Sequence, residues 1–81
     1  MYELEEVIIE YDELESLRLA DLLANSHEEA AKEMKISRAT FGRILESARK
    51  KIADSILNGK AIKINNEQLL NSNNEKHPDN I

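Results

Sequence analysis

Residues 36–51 read ISRATFGRILESARKK, and how they fold decides the architecture of the chain. Arg38, Arg43, Arg49, Lys50 and Lys51 face a single acid, Glu46, although the whole protein carries a formal charge of -5. Ser37 is placed to cap a helix, accepting a hydrogen bond from a backbone N–H of the first turn. Ile36 before it and Phe41 within it are spaced as a hydrophobic staple. From there Phe41, Ile44, Leu45, Ala48, Ile52 and Ile56 recur at helical spacing, until Gly59 offers a left-handed stop. At 100° per residue the apolar members cluster on one side. Ala39, Arg43, Glu46 and Lys50 point the other way, with Gly42 and Ser47 at the margins. The stretch is therefore expected to be a long helix with a core face and a cationic face.

Working backwards, Ser26 and Glu29 form an S-x-x-E capping box. A short second helix is expected over about Glu28 to Lys35, with Ala30, Ala31 and Met34 inward. Small Ala31 lets the following helix approach closely. Two capped helices with almost no linker, an apolar residue in the turn and a basic second helix are the layout of a helix-turn-helix, whose second helix lies in the DNA major groove. Lys35 falls in the turn where a glycine would relieve a positive φ. Upstream, Asp12 with Glu15 marks a first helix from about Glu13 to Ala24, its apolar surface supplied by Leu14, Leu17 and Leu22 to Ala24. Leu4 to Tyr11 alternates Val7, Ile9 and Tyr11 against Glu6, Ile8 and Glu10, as a short strand does. KAIKI, after Gly59, is a second strand. The expected fold is mainly α: a three-helix helix-turn-helix domain over residues 1–64, with two short flanking strands. Residues 65–81 are polar and asparagine-rich and are expected to form a flexible tail, with a helical turn around Glu67 to Leu70.

Composition excludes several classes. With 81 residues the chain forms one small domain with a modest core. It has no cysteine, so neither a disulfide framework nor a thiolate metal site is expected. No apolar run approaches the ~18 residues of a membrane span, and the acidic start does not suit a signal peptide, so a cytoplasmic protein without membrane contact is expected. Three aromatics, Tyr2, Tyr11 and Phe41, provide too few platforms for stacking on single-stranded nucleic acid. The only glycines are Gly42 and Gly59, which rules out a glycine-rich phosphate loop. The histidines are His27, at a helix start, and His77, in the tail. No catalytic constellation, cofactor or metal site is expected.

Charge is segregated along the chain. Residues 1–31 hold ten acids and one base, residues 32–51 seven bases and two acids. A basic patch can act locally in an acidic molecule, because screening confines charge effects to about 8–10 Å at cellular salt. Two uses compete for that patch. Arg43 and Lys50 can pair with Glu46 at i,i+3 and i,i+4 on a solvated helix, or they can meet DNA. Thr40 can close the first turn or donate to a phosphate. Gly42 can admit a close approach by DNA or by another helix.

Residues Asp12 to Ile64 resemble a family of small prokaryotic proteins described as predicted DNA-binding proteins, with a helix-turn-helix similar to the fourth region of sigma factors. DELESLRLAD, EEAAKEMKISRATFGRILESARKK and NGKAIKI carry the likeness. The family usually has an upstream arm rich in arginine and cysteine, which these residues lack. The resemblance implies double-stranded DNA binding and transcriptional regulation through the segment Ser37 to Arg49, with Arg38, Ala39, Thr40 and Arg43 facing DNA. Together with the helical wheel, the expected DNA-binding residues are Ser37, Arg38, Ala39, Thr40, Arg43, Ser47, Arg49 and Lys50. The competing function is a protein-interaction module whose acidic first third contacts the transcription machinery, RNA polymerase included. The two strands are expected to pair, with Glu6 or Glu10 opposite Lys60 or Lys63. A homodimer closed by those strands is expected; the alternative is a monomer whose strands pair internally.

Overall fold

The computed structural model describes residues 4–65. The tail reading for residues 66–81, including the turn at Glu67 to Leu70, lies outside them. Strand β1 (Glu6–Ile9) is followed by helix α1 (Tyr11–Leu17), which runs on through a π-helical segment, Arg18–Leu22. Helix α2 (His27–Met34), helix α3 (Arg38–Asn58) and strand β2 (Ala61–Ile64) complete the domain. The expected mainly helical fold with three helices and two flanking strands is what forms.

The core gathers where α2 and α1 cross the start of α3. Phe41 is fully buried among Leu19, Ala30, Ala31 and Leu45, with Leu17, Ala20, Met34 and Ile36 packed around them. The His27 ring meets Phe41 edge-on at 5.4 Å. Alanines at 30 and 31 let α2 lie close against α3, so one phenylalanine can serve two helices. A second apolar layer, Val7 and Ile9, is buried beneath the sheet.

Four expectations at the element ends give way to local chemistry. Helix α1 begins at Tyr11, two residues before the expected Glu13, with Glu10 rather than Asp12 as its extended cap. The carboxylate that reaches back is Glu13, which accepts from the Glu10 N–H at 2.9 Å, while Glu15 turns instead to Arg18. In the last turn of that helix the Leu23 N–H bonds the Arg18 carbonyl, an i→i+5 step. This wider turn rotates Leu19 inward and leaves Leu22 and Leu23 exposed, so they do not supply the apolar face expected of them. On α3 the inward stripe runs Phe41, Leu45, Ala48, Ser55, with Ile52 half-buried. Ile56 falls off that stripe and is 71% exposed.

The strands pair within one chain, in parallel, with Glu6 against Ala61 and Ile8 against Lys63. That register keeps Glu6 and Glu10 from facing Lys60 or Lys63 directly. Lys60 instead bridges Asp54 at 3.0 Å and Glu5 at 3.4 Å. The Ala61 N–H donates to the Glu5 carbonyl and the Asn65 N–H to Ile9, so Ile62 and Ile64 turn their backbone groups outward. The outer edge of β1 is partly closed, because Lys51 Nζ donates to the Ile8 carbonyl at 2.7 Å.

Candidate nucleic-acid interface

The turn between α2 and α3 is tight. Lys35 takes the left-handed conformation (φ 62°, ψ 43°), and its N–H returns to the carbonyls of Ala31 and Lys32. A non-glycine residue there costs about 1–2 kcal/mol, which the capping bonds and the packing of Ile36 against the core offset. Ser37 then caps α3, accepting from the Thr40 N–H at 3.0 Å while its own hydroxyl donates to Thr40 Oγ1 at 2.9 Å. Thr40 therefore does close the first turn. Its Oγ1 also accepts a long contact, 3.5 Å, from Arg43.

The cations of the domain fall into two groups. Some are fastened inside the fold. Arg18 grips Glu15 through Nε and Nη2, at 2.7 and 2.9 Å. Arg49 grips Asp21 at 3.2 and 2.6 Å, tying α3 to the π-helical segment. Lys51 meets Glu13 at 2.8 Å. Glu13 is nearly buried and also accepts from Ser47 Oγ at 2.6 Å. Burial works against its charge, but the bonds from Lys51, Ser47 and the Glu10 backbone, with the charge of Lys51, outweigh it and hold its pKa below the usual value. Asp21 is likewise held low, by Arg49.

The remaining cations, Lys32, Lys35, Arg38, Arg43, Lys50 and Lys63, form no ion pair among the described residues. Five of these six surround the α2–α3 turn and the outward side of α3. Arg43 and Lys50 do not pair with Glu46, so the solvated-pair reading of these residues is not the arrangement adopted.

Of the eight expected residues, Arg38, Ala39, Arg43 and Lys50 share the exposed side of α3, with Ser37 and Thr40 at its N-terminus. Ser47 is turned to Glu13 and Arg49 to Asp21, on opposite flanks of the helix. Lys32 and Lys35 join the cationic surface without having been singled out, although they were part of the basic count of residues 32–51. A Cβ built on Gly42 meets nothing within 4 Å. No neighbouring helix among the described residues therefore requires glycine at that position.

This chain belongs to the family described as protein of unknown function DUF134, which it matches over residues 1–71. A UPF0251 protein of Chlorobaculum tepidum is 51% identical over 69 residues, covering 85% of this chain and 45% of its own length. A UPF0251 protein of Prosthecochloris aestuarii is 47% identical over 74 residues, covering 91% of this chain and 48% of its own. A Methanococcus maripaludis UPF0251 protein is 58% identical over 62 residues, 76% of this chain and 48% of its own. The chain thus spans about half the length of the curated relatives it matches. No solved structure matches it. Among the described residues, no helix is long and apolar enough to cross a membrane.

Proposed function

We propose that this domain binds double-stranded DNA sequence-specifically, α3 lying in the major groove as the second helix of a helix-turn-helix similar to that of sigma factor region four, and that it serves transcriptional regulation. The observation that carries the reading is the sorting of the cations. Arg18, Arg49, Lys51 and Lys60 are used to hold the fold together, while Lys32, Lys35, Arg38, Arg43 and Lys50, around one helix and its turn, form no ion pair among the described residues. Unpaired lysine and arginine side chains are what a phosphate backbone takes up, with release of counterions. Arg38, Ala39, Arg43 and Gly42 then approach the base edges, and Lys32, Lys35, Lys50 and the Ser37–Thr40 end approach phosphates.

The test is fluorescence anisotropy with labelled random duplexes across 50–200 mM salt. Each phosphate neutralised adds about -0.9 to the slope of log affinity against log salt. Lys50→Ala is expected to weaken binding to every sequence and reduce that slope by about one. Arg43→Ala is expected to lose about 1–3 kcal/mol at one base position of a selected site. No binding at 50 mM salt refutes the reading.

A further inference from the structure

On the flank of the domain between the start of α1 and the α2–α3 turn runs a cleft of about 940 Å³. Its floor is apolar: Leu19, Met34, Ile36 and Ile44. Met34, Ile36 and Ile44 remain half-exposed there, so the cleft is an open trough. Its rim is acidic, with Glu10, Asp12 and Glu15 from the α1 side and Glu33 from α2. Among the described residues Glu15 is the rim carboxylate in an ion pair, with Arg18. Glu10 accepts from the Asn65 amide at 2.9 Å, and Asp12 and Glu33 have no ion pair among the described residues. The charge of Arg18 also reaches Glu33, but Asp12 and Glu33 are held by no ion pair among the described residues, so the rim keeps an excess of negative charge.

We infer that this trough docks a basic amphipathic segment of another protein, two or three of its apolar side chains on Met34, Ile36 and Ile44 and its lysines or arginines against Asp12, Glu33 and Glu10. Charge complementarity selects that occupant. A nucleic acid or an acidic peptide would bring anions against the rim. An open trough does not enclose most of a small molecule's surface, as small-ligand sites do. Apolar anchors at helical spacing laid into a hydrophobic groove are a recurrent mode of peptide recognition, and complementary rim charge sets which partner enters. The inference does not depend on DNA binding, because the rim carboxylates Asp12 and Glu33 lie on α1 and α2 and not on the exposed face of α3.

The probe is a fluorescein-labelled 18-residue amphipathic helix of leucine and lysine, titrated without DNA and followed also by amide chemical shifts. Two peptides of equal length serve as comparisons, one of leucine and glutamate and one of lysine and glycine. The expected result is saturable binding of the leucine–lysine peptide alone, with shifts concentrated at Tyr11, Glu33, Met34, Ile36 and Ile44. Glu33→Lys and Asp12→Asn, at exposed positions that form no ion pair among the described residues, are expected to keep the far-ultraviolet circular dichroism of the parent; Glu33→Lys should weaken binding at least tenfold, and Asp12→Asn by less. Equal binding of the lysine–glycine peptide, binding of the leucine–glutamate peptide, shifts centred elsewhere, or unchanged affinity of Glu33→Lys overturns the inference.

Discussion

Replacing Gly42 by alanine separates stability from recognition. Glycine within a helix costs about 0.8–1 kcal/mol relative to alanine, because its backbone surrenders more freedom on folding. Gly42 lies in the second turn of a 21-residue helix, and a Cβ there meets nothing within 4 Å. The full propensity gain should therefore appear, with no steric loss against it. For a domain of this size 1 kcal/mol corresponds to about 4–8 °C in Tm. The new methyl would project from the side of α3 that carries Arg38 and Glu46. If DNA approaches the bare backbone there, the methyl occupies space that the complex needs. Overfilling of a close contact costs about 1–3 kcal/mol, or about five- to 150-fold in affinity. The variant should melt higher and bind DNA more weakly, as read by thermal denaturation and anisotropy on the same preparation. Higher stability with unchanged affinity refutes the role given to Gly42. No gain in stability refutes the account of its helical setting.

The other expectations are more local. Phe41→Ala empties the centre of the core and should cost about 3–5 kcal/mol by urea denaturation, close to the whole stability of so small a domain. Glu13 has its pKa lowered from the usual 4.5, so its stabilising charge is fully present above that value and is lost as pH falls through the native pKa. Glu13→Gln should therefore be less stable at pH 7 and lose less further stability than the parent on acidification below about pH 4.5, measured as urea midpoints against pH. The homodimer is a proposal that β2 can test: Ile62 turns its N–H away from β1, so Ile62→Pro removes an outward donor and leaves the internal ladder intact. If β2 edges join two chains, sedimentation equilibrium at tens of micromolar should show a dimer for the parent and a monomer for the variant; a 9.3 kDa parent species at all concentrations rejects the dimer.

What was legible in the sequence was whatever depends on neighbours within a turn or two. The Ser26 and Ser37 caps, the left-handed stop at Gly59 and the burial of Phe41 follow from short-range pattern and are found in place. The long-range partners were not legible. Nothing local says that Ser47 and Lys51 converge on Glu13, 34 and 38 positions away, or that Arg49 reaches Asp21 across 28. A wheel assigns Ser47 to a margin of α3 but cannot show that this margin meets α1, nor that Arg49 reaches the π-helical segment. The π turn itself escaped because LADLLA reads as an ordinary helical apolar run, whereas its wider step decides that Leu19 goes in and Leu22 stays out. The acidic rim was legible only as a charge excess. Its apolar floor came from Met34, Ile36 and Ile44, which sequence spacing alone places in the core.

The parallel pairing of β1 with β2 joins the first described element to the last, and this orders the folding of the molecule in time. Bringing Glu6 to Ala61 closes a loop of about 55 residues, at an entropic cost on the order of 3–4 kcal/mol for a flexible chain. A two-stranded ladder of four residues cannot repay that alone. The helices must already have drawn its ends together, so the ladder belongs late in folding and early in unfolding. On a ribosome it cannot form until residue 64 has left the exit tunnel, by which time the residues of α1 and α2 have already emerged. In the folded protein the same order predicts a clasp that opens without melting the rest. The Ala61 amide, donating to Glu5, should exchange with solvent far sooner than the amides of α3 around Leu45 and Ala48.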